Sequence, residues 1–212
     1  MSNVKYSDLL AEVLPHLKAD PSDPLTESAL KNAVIEFCRD SWVWRHFPDP
    51  LDVDAGEASY QLEPAAGADV AALLSCAYDG APITPKSTDD LDAIVPDWQS
   101  VAGTVKYFTQ IDSESVMLAP LPVESLAQGL VMVLALQPKR SAISFPKWIS
   151  SQYMEALASG ALARLMSMPD KPWTDQKGAA LHGERFRNAV SAAKASGVRG
   201  LSRAVVRTTP QH

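Results

Sequence analysis

The chain has 212 residues, 46% apolar and 21% charged, with a formal net charge of −6 at pH 7. This ordinary globular composition suits one large domain, or one domain carrying an insertion, and excludes a wholly disordered or collagen-like chain. It also excludes a helical membrane span, because the longest apolar run, Leu130–Leu136, reaches about a third of the ~20 residues required.

The charge is unevenly spread. Residues 1–138 hold 7 Lys+Arg against 21 Asp+Glu, a net −14, whereas residues 139–212 hold 12 against 4, a net +8. Such a split bears on partners and orientation rather than on fold. It reads either as drift of surface charge or as two parts that face different surroundings. The N-terminal run Met1–Asp8 lacks the basic, apolar, small-residue order of a secretory signal. Cys38 and Cys76 fall in different predicted elements, so no disulfide framework is expected. Both read as small apolar side chains buried in a protein of a reducing cytoplasm.

Leu9, Leu10, Val13, Leu14 and Leu17 recur at helical spacing and predict a helix over Tyr6–Lys18, capped by Ser7 or Asp8 and weakened near Pro15. In the following turn Asp23 is a natural N-cap and Pro24 suits the first helical position. A long helix is therefore predicted over Pro24–Phe47, with the stripe Leu30, Ala33, Val34, Phe37, Cys38, Ser41 and Trp42. Its aromatic end, Trp42-Val43-Trp44, reads as core or as a functional surface.

From Leu51 to Pro138 alternation and β-branched residues replace the helical period. Strands are predicted over Ala58–Leu62, Val70–Tyr78, Ala81–Thr84, Val105–Gln110, Ser115–Leu118 and Gly129–Leu136. Asp79-Gly80 is a hairpin signal, and Asp112-Ser113-Glu114 reads as a second tight turn. Ser87–Gln99 reads as a short helix or loop, with Asp89, Asp90 and Asp92 at its start.

Beyond Pro138 the helical period returns. Pro146 opens a helix carrying Trp148, Ile149, Tyr153, Leu157, Ala161, Leu165 and Met168, and the run Ala156–Ala163 gives it a small-residue face. After the turn Met168–Trp173, Thr174 is expected to cap a last helix with Ala179, His182, Phe186, Ala189, Val190 and Ala193 inward. Gly197 is expected to end it. Val198–His212 carries Arg199, Arg203 and Arg207 among Gly, Ser, Thr and Pro. The expected class is α+β: terminal helices (1–50 and 139–197) packed as a small bundle, an inserted antiparallel β domain (51–138), and an extended basic arm (198–212).

The search for chemistry yields no catalytic, cofactor-binding or metal residue. There is no Gly-x-Gly-x-x-Gly, P-loop, Gly-x-Ser-x-Gly or Cys-x-x-Cys, and the four histidines are far apart. Some carboxylate pair will lie close in space by chance, so acid/base hydrolysis has no specific support. His182 reads as a hydrogen-bonded core or interface histidine rather than a ligand. Asp89, Asp90 and Asp92 lack the glycine and terminal glutamate of a calcium loop and read as a solvated helix start. Arg199, Arg203 and Arg207, each four apart, would align on one face of a helix. With no interleaved aromatics they favour docking to an acidic protein groove over binding nucleic acid.

Four stretches in this order resemble the head-to-tail adaptor (connector) proteins of tailed phages, the group that includes the tail tubular protein A type. They are Ile35–Trp44; Tyr60–Pro64 with the Asp79-Gly80 turn; Lys106-Tyr107-Phe108 leading to Val116–Pro122; and Glu155–Leu165 followed by Lys171-Pro172-Trp173 and the Phe186 helix. The resemblance implies a helical bundle with an inserted β domain, in a homo-oligomeric ring of about twelve copies. The ring would sit in the virion neck between portal protein and tail or neck proteins and be assembled in the host bacterial cytoplasm. DNA would pass through its channel without sequence-specific binding, and neither cofactor nor membrane is implied. The C-terminal segment, with Arg199, Arg203 and Arg207, would dock on the portal. Trp42, Trp44, Trp148, Tyr153, Trp173 and Phe186 would pack the bundle or the subunits. Alternative readings are another neck or tail-completion protein, a DNA-packaging accessory factor, or a small hydrolase.

Overall fold

The computed structural model describes residues 2–199, with side chains through Gly197. In chain order the elements are β1 (Asn3–Lys5), 3₁₀ segments at Tyr6–Glu12 and Leu14–His16, α1 (Asp23–Ser41), β2 (Arg45–His46), β3 (Leu51–Val53) and β4 (Ser59–Gln61). Then follow β5 (Ala68–Tyr78), β6 (Ala81–Pro85), α2 (Thr88–Ile94), β7 (Tyr107–Thr109), β8 (Ser115–Ala119) and β9 (Leu126–Pro138). The chain continues with β10 (Ser144–Pro146), α3 (Lys147–Met166) and α4 (Gln176–Arg199). The fold is α+β. Contacts divide it into a helical unit, up to Trp44 and from Gln137 onward, and a β unit, Arg45–Leu136.

In the helical unit the predicted Tyr6–Lys18 helix is instead two 3₁₀ turns. Val13, His16 and Leu17 each donate to the carbonyl three residues back, at 3.0–3.2 Å. Pro15 supplies no N–H for an α-ladder, and buried Tyr6 and Val13 anchor the segment while the leucines stay half-buried. Helix α1 stops at Ser41, short of the predicted Phe47. Trp42 adopts a left-handed conformation (φ 55°), its N–H bonding the Cys38 carbonyl at 3.1 Å. Arg45 and His46 then join a sheet, paired with Ala135 and Leu134 of β9. Strand pairing overrides the helical pattern there. Ser22, not Asp23, occupies the N-cap position of α1.

Helix α3 follows Pro146 and departs from helical geometry at Tyr153 (φ −127°, ψ 19°). Helix α4 starts at Gln176, and the side chain that caps it is Asp175, whose Oδ1 accepts the Gly178 N–H at 2.9 Å. Thr174, the expected cap, instead closes the preceding turn by accepting the Lys171 N–H and donating to the Met168 carbonyl. Gly197 does not end α4, which continues to Arg199. A two-stranded antiparallel pairing of β1 with β10 ties the N-terminus to the start of α3. Among the described residues no helix is long and apolar enough to cross a membrane.

The β unit holds one sheet in the order β2-β9-β5-β6-β7-β8-β4, with β3 also pairing β9. The predicted hairpin at Asp79-Gly80 joins β5 to β6, both residues having positive φ (49° and 73°). The sheet is not wholly antiparallel. β6 and β7 pair in parallel, Thr84 opposite Tyr107 and Pro85 opposite Phe108, with α2 in the crossover between them. The inward side chains of β9, Leu130, Met132, Leu134 and Leu136, are buried. Leu91 and Trp98 form a second buried cluster with Ala119.

Candidate interaction surfaces

Helices α1, α3 and α4 pack closely where they meet. Gly160 on the small-residue face of α3 is what permits it: a Cβ there would sit 2.8 Å from the Phe186 ring and 2.9 Å from the Ala33 Cβ. Phe37 joins the three helices, with its ring centroid 4.9 Å from Tyr153 and 6.2 Å from Phe186. Arg164 spans the same junction. It donates to Glu36 Oε2 and to the Gly160 carbonyl, and its guanidinium lies 5.7 Å from the Phe186 centroid. Sequence offered no signal for the Arg164–Glu36 pair, since its members are 128 residues apart.

The predicted packing aromatics therefore fall into different settings. Tyr153 and Phe186 come together through Phe37. Trp42 ends α1 with the Lys194 ammonium 3.7 Å from its ring centroid, a partner on α4 that sequence reading missed. Trp44 is buried, whereas Trp148 and Trp173 are half-buried, and the Trp173 indole nitrogen is shielded from solvent without a hydrogen-bond acceptor. Of the docking arginines, Arg199 is the last residue of α4, so Val198 and Arg199 belong to a helix rather than to an extended arm. Arg203 and Arg207 lie outside the described residues.

A cleft of about 810 Å³ opens between the first 3₁₀ turns, α3 and α4, and its polar lining is Glu12, His16, Glu155, Ser159, His182 and Arg185. His182 Nδ1 lies 3.5 Å from Ser159 Oγ. Burial, then the neighbouring Arg185 and His16, hold its imidazole below the ordinary histidine value. The Arg185 guanidinium beside the ring is the reverse of the carboxylate that orients a catalytic imidazole in a Ser-His-Asp triad. The Ser159–His182 contact thus satisfies a half-buried polar pair.

Several other chemistry-bearing side chains are committed to structure. Ser87 Oγ accepts the Asp90 N–H at 3.1 Å, and Asp92 accepts the indole N–H of fully buried Trp98 at 2.8 Å. Burial pushes the Cys76 thiol up to about 12 and Cys38 higher still, so neither is a thiolate near neutrality. Among the described residues no three His, Cys, Asp or Glu side chains are grouped to hold a metal ion.

A helical unit fastened at a three-helix junction, with a sheet unit inserted in its sequence, defines an α+β protein. The chain belongs to the SU10 adaptor protein family, whose match covers residues 4–209. It is a phage adaptor protein and a virion component. No curated protein matches it.

Proposed function

We propose that the chain is the head-to-tail adaptor of a tailed phage, akin to the tail tubular protein A type. It acts without catalysis as a ring of about twelve copies that joins portal to tail and encloses the DNA channel. The observation that carries this reading is the adaptor-family match over residues 4–209, nearly the whole chain. The structure supplies suitable parts. The helical unit is fastened at Gly160, Phe37 and Arg164, as a load-bearing ring body requires. The β unit holds 14 Asp+Glu against 3 Lys+Arg, a net −11. An acidic wall would let DNA slide without adhering, because phosphate contacts need cations. Arg199, Arg203 and Arg207 would seat the C-terminal segment on the portal.

The test is to mix the purified chain with the portal of the same phage and examine the product by electron microscopy and native mass spectrometry. Closed rings stacked on the portal are expected. Deletion of residues 200–212 is expected to leave the thermal midpoint unchanged and abolish portal capture. A chain that stays monomeric and indifferent to the portal would refute the adaptor reading, and a truncated chain that still docks would refute the role of Arg203 and Arg207.

A further inference from the structure

Helix α1 ends on an unusual choice of residue. Trp42 holds the left-handed conformation (φ 55°, ψ 30°), with its N–H bonded to the Cys38 carbonyl at 3.1 Å. Glycine is the common residue at such a helix end, because a Cβ makes the conformation costly and a bulky side chain makes it more so. Stopping the helix therefore does not account for an indole here. Backbone held in a sparsely populated region persists when the surrounding contacts fix it, and such positions cluster at functional sites.

The contact that the indole makes lies on α4. Beyond Phe186, the residues Val190, Ala193, Lys194 and Gly197 recur at helical spacing and are buried or half-buried. Lys194 is the charged member of this inward stripe. Its ammonium lies 3.7 Å from the Trp42 ring centroid, well inside the roughly 6 Å reach of a cation–π contact. A half-buried lysine on a packing stripe and a tryptophan in left-handed backbone thus account for each other. Past Lys194 the helix runs on to Arg199, about 7.5 Å further at 1.5 Å per residue. Ala195 and Ser196 in that stretch are exposed. The pair clamps α4 just before its last turn.

We propose that Trp42 and Lys194 form a latch that sets the direction in which α4 delivers Arg199, Arg203 and Arg207 to the portal. The proposal rests on the portal docking proposed above. Both are positioning residues, acting through the arm rather than by touching the portal. With the latch open, the last turn of α4 samples directions in which the arginines miss their partner, and affinity falls with the fraction of chains that point correctly.

The test measures binding of the full chain to the portal of the same phage for Lys194→Met, Lys194→Arg, Trp42→Leu and the double variant W42L/K194M. K194M removes the cation and keeps an aliphatic stem, whereas K194R keeps the cation. Both leave α1 intact, so they carry the decision should W42L disturb the helix end. K194M and W42L are each expected to weaken binding about fivefold at an unchanged thermal midpoint, and K194R to bind as wild type does. The double variant is expected to lose no more than either single one, because a latch already open cannot be opened again. Amide hydrogen exchange over residues 194–199 is expected to quicken in K194M. K194M binding as tightly as wild type, or losses that add in the double variant, would overturn the latch while leaving portal docking intact. A wild-type chain that the portal does not capture would overturn the docking reading and the latch with it.

Discussion

Gly160 shows how one hydrogen in place of a methyl group can hold three helices together. Helix propensity alone would favour alanine there by about 1 kcal/mol. The added Cβ, however, would meet the buried Phe186 ring at 2.8 Å and the Ala33 Cβ at 2.9 Å, an overlap that costs roughly 1–3 kcal/mol. Gly160→Ala should therefore be destabilising on balance and Gly160→Val more so, read as a lower denaturant midpoint. The run Ala156–Ala163 made this close approach legible in sequence. The role of Asp92 was not, because its partner Trp98 becomes one only when the chain folds back after α2. Asp92→Ala strips the acceptor from a buried indole N–H and should cost about 1–3 kcal/mol, whereas Asp90→Ala, which keeps its backbone bond to Ser87, should cost little. His182 gives a pH signature. Its imidazole titrates below the ordinary 6.5 in the folded chain, so the unfolded chain binds the proton first. Its contribution to stability is complete above pH 6.5 and lost as pH falls through the lowered value. The thermal midpoint of His182→Gln should lack the portion of the acid-side decline that this residue contributes, and identical profiles would show that His182 does not matter.

At the scale of elements, strong periodic signals and the Asp79-Gly80 turn brought out α1, α3, α4 and the six longer or better-bounded strands. The strands that escaped, β1, β2, β3 and β10, have two or three residues each. Two residues cannot show an alternation, and their pairing with β9 or with each other is a tertiary event. The same cause shortened α1, where Trp42 leaves helical space and Arg45 pairs with β9. Proline at position 15 signalled an irregular segment but not its 3₁₀ character. The parallel β6–β7 pair was hidden because α2 looked equally like a loop. Packing among the helices supplies the firmest prediction at this scale. Phe37 is fully buried and reaches both Tyr153 and Phe186, so Phe37→Ala should cost about 3–5 kcal/mol. Chemical denaturation would show the loss, and a change below 1 kcal/mol would mean that the junction collapses to fill the space.

For the whole molecule, the adaptor family was legible because several weak motifs occur in a fixed order, although no one of them is diagnostic. The acidic-to-basic split was also visible and acquires a place once the two units are distinguished: −11 in the β unit, +5 in the helical unit. Interaction surfaces were the least legible, since they are assembled from residues far apart in sequence, as Trp42 and Lys194 are. The central claim is that this chain forms the ring between portal and tail. Electron cryo-microscopy of the virion neck tests it most directly. The account predicts a closed ring at that level into which the α1–α3–α4 junction fits, with the acidic β unit bordering the DNA channel. Absence of this chain from the neck, or its presence there as isolated copies that enclose no channel, would contradict it.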